Sequence, residues 1–142
     1  MEMEQIILDW EGPFKLTEPT PRKQYALIGL YAVEHNSKII YIGKAEYQGT
    51  IKEARSHGFY EKRLKEVGIV WDRTRALVYI GTVSQDQISP RIDDAENLLI
   101  YKIHPPCNKK GHKRYSGVEP FRVINNGNRP QELKIQYQYP DP

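Results

Sequence analysis

Two short apolar runs flanking a polar hinge constrain the fold of this chain more than any other stretch. Ala26 to Val33 and Lys38 to Ile42 are rich in Ile, Val and Tyr, and they enclose Glu34-His35-Asn36-Ser37. β-Branched and aromatic residues suit a half-buried pleated surface, so two such runs around a short polar hinge predict a β-hairpin. Residues 32 to 40 separate Tyr31 from Tyr41, and a tight turn brings the two phenols toward each other across the paired strands. In an arbitrary hairpin these are half-buried strand tyrosines and nothing more. Any functional weight has to come from residues elsewhere in the chain.

At 142 residues the chain suffices for one domain that buries its own core without disulfides or structural metal. Ten Tyr, ten Gly and ten Pro in a charged, moderately apolar sequence predict mixed α and β structure with many turns. Cys107 has no second cysteine to pair with, which suits a reducing compartment. No apolar segment approaches the roughly 18 residues needed to span a bilayer, and Met1-Glu2-Met3-Glu4 lacks the basic start of a signal peptide. The expectation is a soluble, cytoplasmic protein with no membrane partner.

The net charge of +3, from 21 basic and 18 acidic residues, says little by itself. Its distribution says more. Residues 1 to 11 carry Glu2, Glu4, Asp9 and Glu11 with no Lys or Arg, whereas Lys102, Lys109, Lys110, Lys113 and Arg114 lie between Glu96 and Glu119 with no acid among them. Such a segment suits a polyanion such as nucleic acid, and it also suits an ordinary solvated surface.

In chain order, Gln5 to Trp10 reads as a first strand ended by Glu11-Gly12-Pro13, and Thr17 to Arg22 as a Pro-containing loop. After the hairpin, Lys44 to Gly49 is irregular. Thr50 to Val67 is broadly helical with a break at Gly58, and Tyr60, Leu64 and Val67 mark its buried side at i, i+4 and i+7. Ala76 to Val83 is apolar enough for a central strand. A second helix opens with Ser89 as N-cap and Pro90 in the first position, gains from Asp93 and Asp94 near its start, and stops by His104 because Pro105-Pro106 cannot continue it. Phe121 to Ile124 and Glu132 to Tyr139 read as extended, with a turn at Asn125-Asn126-Gly127-Asn128. The fold class is α+β: a small central antiparallel sheet containing the hairpin, flanked by helices, with extra N- and C-terminal strands. One domain spans 1–142, with a core over about 25–108 and a C-terminal extension over 109–142.

Glu96 breaks the pattern of the second helix. Ile92, Leu99, Ile100 and Ile103 recur with it at helical spacing, and a carboxylate on an apolar stripe must be paired, protonated or bound to a cation. Alternatively it sits at the edge of the stripe, where it reaches water or a structural Arg or Lys.

These residues together resemble the GIY-YIG nuclease superfamily. Gly29-Leu30-Tyr31 and Tyr41-Ile42-Gly43 match its two tripeptides, with Leu for Ile in the first. The family then has a catalytic Arg on the next helix, a metal-binding Glu on a later helix and an Asn just after it. Here Glu96 is followed by two leucines after Asn97, and Pro105-Pro106-Cys107-Asn108 is similar to the family's Pro and Asn ending. Arg63, in Tyr60-Glu61-Lys62-Arg63-Leu64-Lys65-Glu66, is the better match for the Arg, although Val67 stands where the family often has a His. Arg55 is the competitor, with His57 nearby to substitute for that His.

The resemblance implies a metal-dependent DNA endonuclease that uses one Mg²⁺ or Mn²⁺ and leaves 5′-phosphate and 3′-hydroxyl ends. Its site would be Tyr31, Tyr41, Lys44, Arg63, Glu96 and Asn108. Hydrolysis of a phosphodiester needs an activated water, neutralised phosphoryl oxygens and help for the departing 3′ oxygen. Tyr31 would accept or orient the water's proton, given a pKa well below about 10, to which Lys44 would contribute. Glu96 would hold the ion, Arg63 would clamp the phosphate, Tyr41 would bind water or phosphate, and Asn108 would orient its neighbours. Lys109, Lys110, Lys113 and Arg114 are placed to touch a DNA backbone. The alternative from a different class is a nucleic-acid-binding module on the same fold with no independent nuclease activity, and a homodimer is left open. A zinc site from His104, Cys107 and His112, or a Cys107 nucleophile, is poorly supported, because three ligands across a Pro-Pro turn match no closed structural site.

Overall fold

A computed structural model of the chain describes residues 3–16, 29–44, 58–83, 91–109 and 119–141. Among them are six strands, two α-helices and one short 3₁₀ turn. The strands are β1 (Glu4–Lys15), β2 (Gly29–His35), β3 (Lys38–Lys44), β4 (Ala76–Val83), β5 (Phe121–Gly127) and β6 (Gln136–Tyr139); the helices are α1 (Gly58–Glu66) and α2 (Ile92–Ile103). The strands form one sheet in the order β3-β2-β4-β1-β5-β6. The expected mixture of α and β structure is present. The sheet, however, is mixed rather than antiparallel, because β1 and β5 run parallel from Glu4↔Phe121 to Trp10↔Gly127.

Alternation of side chains along each strand decides which helix each face receives. Leu30 and Ala32 of β2 and Tyr79 of β4 point to one face, where they join Ile6, Leu8 and Trp10 and pack under Ala95, Leu98, Leu99 and Ile100 of α2. Tyr31, Val33, Val78 and Ile80 point to the other face, beneath Tyr60 and Leu64 of α1. The i, i+4 pair Tyr60 and Leu64 is fully buried, as its spacing predicts. Val67 is not: it is 54% exposed, because the helix ends at Glu66 and Gly68 takes a left-handed φ of 76°, the usual glycine stop.

Other boundaries moved for identifiable reasons. β1 continues past Gly12-Pro13, since a register shift between Glu11 and Phe14 with Gly12 at φ 139° absorbs the proline in a bulge. α2 begins at Ile92 with Arg91 at its N-cap, later than Ser89-Pro90 predicts, and ends as expected with His104 in the left-handed conformation at φ 56°. The predicted turn at Asn125-Asn126-Gly127 is strand instead, paired with Leu8, Asp9 and Trp10. β1, expected as an extra strand, lies inside the sheet between β4 and β5. Ala26–Ile28, Thr17–Arg22, Ala45–His57, Ser89–Pro90 and the basic segment from Lys110 to Arg114 lie outside the described residues.

Candidate functional site at the edge of the hairpin

β3 is an edge strand, and an unpaired edge is a row of unsatisfied backbone groups. The segment that follows α2 covers it. Pro105 and Pro106 stop the helix, and the chain turns back so that the Cys107 N–H donates to the Ile40 carbonyl at 2.8 Å. Asn108 completes the docking with both ends of its side chain: Oδ1 accepts from the Ile42 N–H and Nδ2 donates to the Ile42 carbonyl, each at 2.9 Å. Asn108 is thereby buried and fixed. Its amide substitutes for a neighbouring strand, so its part in any chemistry is to hold β3 and its Tyr41 in place.

Around this docked edge lies a cleft of about 410 Å³. Tyr41 and Ile42 of β3, Arg63 and Phe59 of α1, Glu96, Asn97 and Ile100 of α2, and Cys107, Asn108 and Lys109 line it. Four of the predicted site residues, Tyr41, Arg63, Glu96 and Asn108, therefore meet at one place, and the predicted DNA contact Lys109 stands exposed at the same cleft. α1 divides its labour by helical spacing. Tyr60 and Leu64 face the core, while Phe59 and Arg63, also four apart, face the cleft.

Glu96 is half-buried on α2. The centre of the buried stripe is Ala95, Leu98 and Leu99, so Glu96 occupies the flank that turns toward the cleft. Glu96 therefore stands at the edge of its stripe, and the edge is a concave one. Arg63 is 17% exposed in its side chain, 3.8 Å from Glu66 and 5.7 Å above the Phe59 ring centroid.

Tyr31 stands behind the wall of the cleft. It is 5% exposed and pairs in register with Gly43, while Tyr41 pairs with Val33. The two tyrosines are thus diagonal neighbours on one face, with ring centroids 5.9 Å apart. A Cβ added at Gly43 would lie 2.7 Å from the Tyr31 ring and hydroxyl. Glycine is needed there because the phenol lies across the backbone. Lys44, expected beside Tyr31, is in an ion pair with Asp93 of α2. This pair ties the end of the hairpin to the start of that helix.

Cys107 lines the cleft as a neutral thiol. Burial pushes its pKa up to about 12, against a lesser opposing effect of the Arg63 guanidinium. A thiolate nucleophile is disfavoured on that ground. His104, at the helix end, is exposed; His112, Arg55, His57, Lys110, Lys113 and Arg114 lie outside the described residues. Sequence reasoning missed Phe59 and Asn97. The i, i+4 spacing of Phe59 from Arg63 and the adjacency of Asn97 to Glu96 were the available signals.

For a metal, the cleft offers Glu96 as a hard oxygen ligand, with the Asn97 amide beside it. The Asn108 amide is committed to Ile42. No group of three or more His, Cys, Asp or Glu side chains gathers among the described residues. This donor set fits a single Mg²⁺ or Mn²⁺ that takes most of its ligands from water and phosphate, and does not fit zinc in a closed site. No helix among the described residues is long and apolar enough to cross a membrane. No protein-family model matches the chain, and neither a curated protein nor a solved structure matches it.

Proposed function

We propose that this cleft is the active site of a metal-dependent DNA endonuclease of the GIY-YIG kind. The observation that carries the reading is the convergence of Tyr41, Arg63, Glu96 and Asn108 from four separate segments onto one cleft, with Tyr31 against Tyr41. A helical Arg and a helical Glu on either side of a tyrosine-bearing edge strand supply a cation for phosphate and a ligand for a divalent ion. That is the minimum a phosphodiester hydrolase requires.

In this reading Arg63 clamps the scissile phosphate, and its fork suits two phosphoryl oxygens. Tyr41, half-exposed in the cleft, holds the attacking water or a phosphoryl oxygen. Tyr31, as a phenolate acting through the hydroxyl of the adjacent Tyr41, would take the proton from that water, the new P–O bond forms as the P–O3′ bond breaks, and the 3′ oxygen leaves to be protonated from solvent. Glu96 would hold a Mg²⁺ or Mn²⁺, whose positive charge would offset the charge that builds up during phosphodiester cleavage. Asn108 keeps β3 docked, and Lys44, through Asp93, holds the hairpin against α2.

Supercoiled plasmid incubated with Mg²⁺ and wild-type protein, Glu96→Ala or Tyr31→Phe tests the reading. Nicking by wild type alone is the expected result, and equal nicking by all three proteins would overturn the assignment of the site. DNA retention without nicking by wild type would instead favour a nucleic-acid-binding module. Arg63→Ala compared with Arg55→Ala identifies the clamp: Arg63→Ala is expected to lose nicking, and loss in Arg55→Ala alone would transfer the role.

A further inference from the structure

The segment that joins β5 to β6 docks on the turn end of the hairpin. Its Glu132 accepts the Ile39 N–H through Oε1 at 2.6 Å, which covers the β3 edge ahead of the Cys107 and Asn108 contacts. Leu133 beside it is 1% exposed in the core. The segment closes on itself, since the Leu133 N–H donates to the Pro130 carbonyl and the Leu133 carbonyl accepts from Arg129 Nε. Glu132 also lines two cavities, one of about 390 Å³ shared with Lys102, Lys134 and Tyr137, and one of about 500 Å³ shared with Lys38, His35 and His104. Residues 129–133 thus form a strap held to the hairpin at few points.

One of those points is Glu34 of β2, which is 6% exposed and whose Oε2 is buried with no hydrogen-bond partner. Its partners in register are apolar, Ile39 of β3 and Leu77 of β4. From the strap, the Gln131 N–H donates to its carboxyl and the Glu132 carboxylate adds negative charge; from β4, the Tyr79 phenol feels the same carboxyl. The cations Lys38, Lys102 and Lys134 line the cavities on either side of Glu132. We propose that the 129–133 strap is a pH-operated latch on the hairpin, closed while Glu34 carries its proton and released when it loses it. An ionised Glu34 would set a bare, buried oxygen beside a second carboxylate. A buried charge without a partner costs more than the burial of one leucine contributes, so the strap yields before the sheet does. Its release takes Glu34 to water, uncovers the Ile39 N–H and joins the two cavities beside the β3 edge. His35 titrates with the opposite sign, its contribution fading as pH falls, so the direction of the effect separates the two groups.

The test is hydrogen exchange at single amides from about pH 4 to about pH 8, each rate divided by that of an unstructured peptide at the same pH. Protection of the Ile39 amide should fall as pH rises above 4.5, by up to about tenfold per pH unit because opening releases one proton, and should level off once the folded carboxyl is ionised. Amides of the β1–β4 ladder should keep their protection. Glu34→Gln, neutral throughout, should hold Ile39 protection constant. Glu132→Gln, which keeps an oxygen for the Ile39 N–H but removes the neighbouring charge, should shrink the total fall. Ile39 protection that ignores pH in wild type, that falls equally in Glu34→Gln, or that falls together with the β1–β4 amides would overturn the latch. If Glu34→Gln does not fold, an undiminished fall in Glu132→Gln overturns it equally.

Discussion

Every residue of β2 from Gly29 to His35 is buried, whereas β1 alternates, with Ile6, Leu8 and Trp10 buried and Gln5 and Asp9 exposed. The hairpin half of the sheet has a helix on each face; the half built from β1, β5 and β6 packs chiefly one face into the core. Each half uses a buried asparagine to pin a segment to the sheet. Asn108 holds the post-helix segment on Ile42. Asn125 accepts from the Trp10 indole at 2.9 Å and donates to the Lys134 carbonyl at 3.0 Å. Around Asn125 the polar groups close on one another. Around Asn108, side chains from two helices and an edge strand meet at a cleft. The same device secures architecture in one half and holds the wall of a candidate site in the other.

The sharpest way to break this comparison is Glu96→Ala. Truncating the cleft carboxylate should reduce Mg²⁺-dependent nicking by at least about 10²-fold, the scale on which a single electrostatic contributor matters. Because Glu96 is at the edge of the core, the unfolding free energy should stay within the small range of a surface change, about ±0.5 kcal/mol. A protein that unfolds on this substitution would make Glu96 a structural residue.

Asn108→Ala and Asn125→Ala should cost similar stability, about 2 kcal/mol each, because each removes two side-chain hydrogen bonds, those of Asn108 both buried and those of Asn125 including the buried bond from the Trp10 indole. Thermal melts should drop by roughly 6 °C in both. Nicking at a temperature where both stay folded should separate them, falling about tenfold or more in Asn108→Ala, the scale of a supporting contact at a site, and remaining near wild type in Asn125→Ala. Equal activity in the two variants would erase the distinction drawn between the halves.

A smaller effect is expected from a pair of glycines. Gly43→Ala forces a Cβ against the Tyr31 ring and should cost about 1–3 kcal/mol by overpacking, with a loss of nicking beyond the change in stability. Gly58→Ala meets nothing within 4 Å at the start of α1 and should be neutral or stabilising by up to about 1 kcal/mol. Urea denaturation of the two variants measures both signs.

The smallest effects are in the pH dependence of stability at the turn end of the hairpin. Burial holds the His35 pKa below its ordinary 6.5, and its Nε2 accepts the Asp72 N–H at 3.1 Å. The unfolded chain then binds the proton more readily, so this contribution is present above pH 6.5 and fades as pH falls below it. Glu34 has the opposite sign. Burial, with help from Glu132, pushes its carboxyl above 4.5, against a backbone bond to Gln131, so the folded state holds the proton more tightly and stability declines as pH rises above 4.5. His35→Asn should remove the fall in melting temperature as pH drops below 6.5, and Glu34→Gln should remove the fall that begins as pH rises above 4.5.

The parts of the molecule legible in the sequence were those fixed by neighbours in the chain. The hairpin, β4, the end of α2 at Pro105-Pro106 and the buried pair Tyr60 and Leu64 follow from propensity, periodicity and proline. Glu96 was legible as an exception to its stripe, and the exception pointed at the cleft. The parallel pairing of β1 with β5 was not, because no local pattern joins residues so far apart in the chain. Asn125-Asn126-Gly127 carries strong turn propensity, which the bonds of Asn125 to Trp10 and Lys134 override. Phe59 was not legible, because only the placement of α1 beside β3 makes it line the cleft.

The most direct measurement of the central claim is the chemistry of the ends left on nicked plasmid. The account predicts that wild-type protein with Mg²⁺ produces nicks that DNA ligase seals without further treatment, as 5′-phosphate and 3′-hydroxyl ends require, and that Glu96→Ala produces none. Wild type that leaves plasmid intact in both Mg²⁺ and Mn²⁺, or nicks that ligase cannot seal, would contradict it.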